Sequence, residues 1–353
     1  MKTFTRYIMT NKIKAGVIGA TGYAGEELVR LLCNHPYAEI AAVSSVSFEG
    51  QKISDVYPAL RGFCDLTLTD ADDVIAKSDV IFTALPHGLS EEIVVKAAVK
   101  PVIDFGADFR LDDEETYKKW YGKSFAYPEL HKKSVYCIPE LNRDAIGSTN
   151  IIASPGCYPT AASLALAPVV KNKLISLEGI IIDAKSGVTG AGRGLSQNTH
   201  FPDTNEAFSA YKAGAHRHTP EIEQTVSKIA GEKVSLTFVP HLLPVNRGIE
   251  ESIYCKLADG VTAETVRKAY EDAYENEKFV RLMPNGEYAN IKNVRVSNFC
   301  DISLHLDEHT RTLIICSCID NIVKGAAGQA MQLMNIRMGL PEDAGLTSAP
   351  PAI

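Results

Sequence analysis

The chain has 353 residues, 45% of them hydrophobic and 22% charged, the balance of a soluble globular protein long enough for about two domains. Its formal net charge of −7 argues against a nucleic-acid or anionic-membrane partner, although a local basic pocket for phosphates would not show at this level. The eight cysteines contain no CxxC pair, Cys316 and Cys318 share one face of an apolar strand, and no apolar run reaches the ~18 residues of a membrane span. A cytoplasmic chain with reduced thiols and no metal site is therefore expected.

Residues 1–11 read as a polar tail carrying Lys2 and Arg6. Residues 12–18 form a short apolar strand that runs into Gly19-Ala20-Thr21-Gly22-Tyr23-Ala24-Gly25 and then a helix over 26–35. Three glycines at this spacing permit a tight turn, close approach to a pyrophosphate and close helix packing, with phosphates favoured at the helix N-terminus. A plain tight turn is the bland alternative, and the position between a first strand and a helix argues against it. A second strand over 39–43 ends in Ser44-Ser45 instead of the Asp or Glu that would bond a ribose 2′-hydroxyl, which favours NADPH/NADP over NAD. The serine hydroxyls and Lys52 could receive the 2′-phosphate, but the stretch 46–49 offers no basic residue to settle that choice.

Alternation continues with strands at 66–68, 79–85 and 102–105 and helices at 71–77 and 89–99, the pattern of a doubly wound parallel sheet. Pro86-His87-Gly88 and the run from Gly106 to Arg110 follow strand ends, where such sheets bind ligands. Arg110 can fork onto a phosphate or pair with Asp108 or Asp112.

Residues 150–153 read as a buried strand and 161–170 as a helix of strong formers, with Pro155 and Gly156 breaking between them. Pro159 suits a first helical turn, which puts Cys157 just before or at the helix N-terminus. Unpaired N–H groups and the helix dipole there lower a thiol's pKa and can hold an oxyanion. A lone cysteine at a turn is more often a small buried apolar residue, so its neighbours must decide.

Beyond Cys157 the strands lengthen and are joined in hairpins, which predicts an α+β domain around an antiparallel sheet. A strand over 180–184 enters the glycine-rich loop Lys185 to Arg193, too irregular for a second dinucleotide turn. His216-Arg217-His218 precede Thr219-Pro220, a good helix start, and a histidine held near the Cys157 thiol can take its proton. A surface loop is the bland reading for either histidine alone. Strands follow over 234–245 and 249–257, with Arg247 between them placed to grip a carboxylate. A helix over 262–277, a hairpin over 293–306 and 312–319, and a helix over 322–338 containing Gly325-Ala326-Ala327-Gly328 complete the chain.

Seven stretches, Gly19–Gly25, Gly106–Arg110, Pro155–Thr160, Lys185–Arg193, His216–Glu221, Pro240–Gly248 and Asp320–Gln329, occur in the order seen in one family. Over residues 12–340 the chain resembles the N-acetyl-gamma-glutamyl-phosphate reductases and, at one remove, the aspartate-semialdehyde dehydrogenases. The resemblance implies a Rossmann domain over 12–156 and 321–353 with a returning C-terminal helix. It also implies an α+β catalytic and oligomerisation domain over 157–320 with a mixed or antiparallel sheet, assembled as a homo-oligomer, dimer or tetramer.

The implied reaction is NADPH-dependent reduction of an acyl phosphate through a Cys157 thioester, with His216 the first choice of acid/base and His218 the second. Gly19, Ala20, Thr21, Gly22, Tyr23, Gly25, Ser44, Ser186, Gly187, Asn321 and Gly325 would hold the cofactor. Arg110 would anchor phosphate and Arg247 the substrate carboxylate. Rival readings are reduction of another acyl phosphate and a cysteine acyltransferase or hydrolase; the dinucleotide turn argues against the latter, which needs no hydride donor.

Overall fold

A computed structural model describes residues 11–351, so the expected tail over 1–11 lies almost wholly outside the described residues. Seven strands come first: β1 (Ile13–Ile18), β2 (Ala38–Ser44), β3 (Leu68–Thr69), β4 (Val80–Thr83), β5 (Val102–Asp104), β6 (Ser134–Tyr136) and β7 (Ile151–Ala153). Every residue of β4, β5 and β7 is buried, as a sheet covered by helices on both faces requires. All seven pair in parallel in the order β3-β2-β1-β4-β5-β7-β6. The winding reverses between β1 and β4, which opens a crevice at their carboxyl ends. One core packs Leu28 and Leu32 against Met331, Leu333 and Met334 from the end of the chain; another packs Val74, Ile93 and Val94 on the opposite face.

The second sheet contains β8 (Ile180–Gly187), β9 (Ser209–Ala210), β10 (Leu236–Leu243), β11 (Ile249–Lys256), β12 (Val280–Leu282), β13 (Cys300–Asp307) and β14 (Thr312–Ile319). Its order is β12-β13-β14-β11-β8-β10-β9. β8 with β10 and β12 with β13 are parallel and the remaining pairs antiparallel, so the sheet is mixed, one of the two forms the resemblance implies. The strand expected from residue 293 begins only at Cys300, because a 3₁₀ turn occupies Ile291–Asn293.

Alternation along β11 turns Ile249, Glu251, Ile253 and Cys255 to the buried face. The helix Cys157–Lys171 lies on this sheet, starting at the cysteine as Pro159 suggests and four residues before the stretch of strong formers, and Tyr158 through Val170 are all buried. Pro168 has no N–H for the carbonyl of Leu164, its partner one turn back, and the Tyr274 hydroxyl donates to that carbonyl instead. Tyr270 caps the carbonyl of Ala165 from the same face of the helix Ala263–Tyr274.

The long helix expected over 322–338 is broken into a π turn, Val323–Ala327, and an α-helix, Gly328–Arg337. Within the turn Lys324 is wholly buried and pairs with Glu140 at 2.6 Å. One-turn π distortions of this kind concentrate at functional sites.

Candidate active site

The first wall of the site is the glycine turn. Gly19 has φ +85°, and a Cβ there would sit 2.4 Å from the Ala84 carbonyl oxygen; a Cβ on Gly25 would sit 2.3 Å from the oxygen of Gly19. Only glycine fits at either position. The N–H groups of Gly19 and Ala20 donate to the Ser44 carbonyl, and the Thr21 and Ser45 hydroxyls bond to each other at 2.6 Å. The helix Tyr23–Leu32 begins at Gly22 without a side-chain cap, so its first N–H groups are suited to an anion. These features fit the pyrophosphate of a dinucleotide. A cleft of about 910 Å³ runs from Tyr23 past Val188, Thr189, Arg193 and Asn246.

Cys157 is the first residue of its helix, with Gly156 as N-cap. Three segments distant in sequence meet there. A Cβ on Gly156 would be 2.5 Å from His218 Nε2 and 2.8 Å from Arg110 Nη1. A Cβ on Gly325 would be 2.7 Å from the Cβ of Cys157, so the π turn presses directly on the cysteine. Gly325→Ala is expected to lower turnover about 100-fold by displacing the thiol roughly 1 Å, and to lower the melting temperature through the same clash, checked by steady-state kinetics and calorimetry.

Glu221, in the first turn of the helix Thr219–Ala230, accepts from the Gly156 N–H at 2.7 Å and the Tyr136 hydroxyl at 3.0 Å, while its other oxygen faces Arg110 at 3.3 Å. It therefore fixes the backbone immediately before the cysteine. The His-Arg-His-Thr-Pro-Glu run carries it, but nothing in one sequence says which loop it will reach.

The helix N-terminus was expected to acidify the thiol, and the site overturns that expectation. Burial pushes Cys157 up to about 12, with the Tyr158 N–H and the Arg110 charge pulling down only partly. Burial likewise drops His216 to about 4, aided by Lys212 and Arg217. His218 is held well below the ordinary imidazole value, first by burial and then by the nearby His216, Arg110 and Arg217 charges. The resting pair is a neutral thiol beside a neutral imidazole.

His218, not His216, adjoins the N-cap of the cysteine helix. His216 stands one ring further out, 4.8 Å from His218 between ring centres, and its Nδ1 accepts from the His218 N–H. Both rings pack edgewise on Tyr158. Ser186 is buried at the end of β8, and Gly187 follows because a Cβ would strike the Asn246 oxygen at 2.6 Å. Asn321 accepts from the Gly248 N–H at 2.8 Å and donates to Thr189 at 3.0 Å, which ties the start of the π turn to the loop after β8.

The two expected anion anchors are largely committed elsewhere. Arg110 donates to the Ser154 and Phe105 carbonyls and pairs with Glu221, so it braces the end of β5 against the segment before Cys157. Arg247 pairs with Glu27 of the first helix at 2.7 Å and with Asp320 at 3.5 Å. A guanidinium already shared by two carboxylates ties the halves of the molecule together and is a poor anchor for a third. Arg217, by contrast, rests on the Tyr121 ring, contacts His87 at 3.2 Å and forms no ion pair among the described residues. The carboxylates of Glu140, Glu277 and Glu342 converge elsewhere, but Lys324 and Arg143 pair with them.

A dinucleotide turn, and a cysteine helix joined to the neighbouring cleft through Gly325, Asn321 and Thr189, define a class: an oxidoreductase of semialdehyde-dehydrogenase architecture. Residues 14–149 match the semialdehyde dehydrogenase NAD-binding domain and residues 157–321 the semialdehyde dehydrogenase dimerisation domain. The chain belongs to the N-acetyl-gamma-glutamyl-phosphate reductase family. It is 57% identical to the N-acetyl-gamma-glutamyl-phosphate reductase of Clostridium beijerinckii and 52% identical to that of Brachyspira hyodysenteriae, covering 96% of this chain and 99% of each relative.

Solved structures share the fold. Aspartate semialdehyde dehydrogenase II of Vibrio cholerae superposes with a TM-score of 0.69 at 18% identity over 93% of this chain and 99% of that one. The NADP-bound aspartate semialdehyde dehydrogenase of Candida albicans gives 0.69 at 18% identity over 92% of this chain and 98% of that one.

Proposed function

We propose that this protein reduces N-acetyl-gamma-glutamyl phosphate to N-acetylglutamate 5-semialdehyde and phosphate, a step of arginine biosynthesis. The observation that carries the reading is the convergence on Cys157: His218 Nε2 and Arg110 beside its N-cap and the π turn against its Cβ.

Cys157 Sγ attacks the acyl carbon while His218 takes the thiol proton; the C–S bond forms, the C–O bond to phosphate breaks, and phosphate leaves. The backbone N–H groups at the start of the cysteine helix stabilise the oxyanion. NADPH, held at the glycine turn and by Ser186, Gly187, Asn321 and Gly325, would supply the hydride that reduces the thioester carbon. His218 returns its proton to the resulting oxyanion, and the thiohemiacetal then loses the C–S bond as its hydroxyl proton passes to the thiolate, giving aldehyde and free thiol. Because the resting thiol is neutral, it is exposed as a nucleophile only when substrate and base meet it.

The cofactor contacts are assigned to Gly19, Ala20, Thr21, Gly22, Tyr23, Gly25 and Ser44 at the turn, and to Ser186, Gly187, Asn321 and Gly325 at the nicotinamide end. Residues 12–156 with 321–353 form the nucleotide domain in this reading and 157–320 the catalytic domain. Self-association of the chain is assigned to the latter, which matches a dimerisation domain. The protein is assigned to the cytoplasm; among the described residues no helix is long and apolar enough to cross a membrane.

The test is the reverse reaction with N-acetylglutamate semialdehyde, phosphate and NADP, followed by absorbance of the reduced cofactor. Phosphate-dependent reduction supports the reading, and its absence overturns it. We assign the phosphoryl group to Arg217 and His87, with Arg110 behind them. Arg217→Ala is expected to raise the KM for phosphate about 10- to 100-fold, the worth of one charge-assisted contact, with a smaller change in kcat.

A further inference from the structure

The residue that distinguishes the two nicotinamide dinucleotides is missing from the place where the sequence would put it. They differ by one group on the adenosine ribose, a phosphate in place of a hydroxyl, and in this architecture that ribose falls at the end of β2. There the chain offers Ser44 and Ser45, followed by Val46, Ser47, Phe48 and Glu49.

The fold brings a cation to this spot from the other half of the molecule. Arg193, in the glycine-rich segment after β8, reaches across the cleft and donates from Nη1 to the Thr21 carbonyl at 3.1 Å. Its guanidinium lies 5.1 Å from the ring centre of Phe48 and 4.8 Å from that of Tyr57. The Tyr57 hydroxyl donates to the same Thr21 carbonyl at 2.9 Å, so the platform under the arginine is itself fixed to the glycine turn. Beside it the Thr21 and Ser45 hydroxyls are paired.

Arg193 is exposed and forms no ion pair among the described residues. Only one of its five N–H donors is engaged by that carbonyl. A stacked guanidinium with donors to spare, next to two hydroxyls at a strand end, suits a phosphate dianion, which it can grip bidentately.

We propose that Arg193, with the hydroxyls of Ser45 and Thr21, recognises the 2′-phosphate of the dinucleotide, so that the choice of NADPH over NADH is made by a residue of the substrate-side loop. The proposal rests on the reductase reading. It also makes cofactor choice a joint property of both halves of the molecule, because Arg193 comes from the segment after β8 and Thr21 from the glycine turn.

The test compares kcat/KM for NADPH and for NADH in the wild type, Arg193→Ala, Arg193→Lys and Ser45→Ala. The NADPH-to-NADH ratio is expected to fall about 10- to 100-fold in Arg193→Ala, the size of a lost charge-assisted contact, and to fall less in Arg193→Lys. Calorimetric titration with 2′,5′-ADP and with 5′-ADP gives a readout without turnover: Arg193→Ala should weaken the first by a similar factor and change the second far less. An unchanged ratio in Arg193→Ala, or equal weakening of both nucleotides, overturns the proposal. Failure of the wild type to reduce the acyl phosphate with either cofactor would instead defeat the reductase reading, and the nucleotide titrations would still decide the role of Arg193.

Discussion

Cys157→Ala is expected to abolish acyl-phosphate reduction, lowering turnover by about 10⁴-fold or more while binding of the reduced cofactor is retained, since the thioester forms on that thiol. Cys157→Ser should be nearly as inactive, because a hydroxyl is still harder to ionise than a thiol already pushed up to about 12 by burial. The same burial sets the chemical behaviour of the free enzyme. Alkylation of Cys157 by iodoacetamide should accelerate steadily with pH through the alkaline range, with no plateau near neutrality. A plateau below about pH 7 would mean a resting thiolate, the outcome that a helix N-terminus alone would favour.

His218→Asn carries the second largest effect, a fall of about 10²- to 10⁴-fold in kcat/KM, the usual worth of a positioned acid/base. His216→Asn should cost less than about 10-fold, because that ring supports His218 without adjoining the cysteine helix. Equal losses in the two variants, or the larger loss in His216→Asn, would reverse the assignment. Burial holds both histidines below the ordinary imidazole value of 6.5, so the wild-type rate should show no acid limb from them near that pH. The sign for stability follows from the same shifts. The unfolded chain takes up these protons first, so the contribution to stability is intact above about 6.5 and is lost as pH falls below it. Thermal melts of His218→Asn should show a weaker acid destabilisation than the wild type.

Local pattern made a large share of the site legible. Gly19 and Gly25 are where a tight turn needs them, and their spacing after an apolar strand exposes them in one dimension. Cys157 sits between a strand and an alanine-rich helix, and Pro159 marks the helix start, although the helix begins four residues before the stretch of strong formers. The π turn was not legible, because nothing in Asp320 to Gln329 taken alone marks it, and the contact of Gly325 with Cys157 exists only in the fold. Arg247 looked like a substrate anchor because a strand-end arginine has no visible partner in sequence, yet Glu27 is 220 residues away and meets it only in the fold.

By itself, then, the sequence determined what depends on neighbours along the chain: the alternating parallel sheet, the dinucleotide turn, the cysteine at a helix start and the histidines before the next helix. Tertiary structure alone decided which groups meet and what burial does to them. It set His218 rather than His216 beside the cysteine helix, engaged Arg247 with Glu27 and Asp320, left Arg217 facing the site, and carried Arg193 to the end of β2. It also reversed the direction of the thiol's pKa, because desolvation depends on everything packed around Sγ, whereas the helix N-terminus that would lower it is a property of a few consecutive residues.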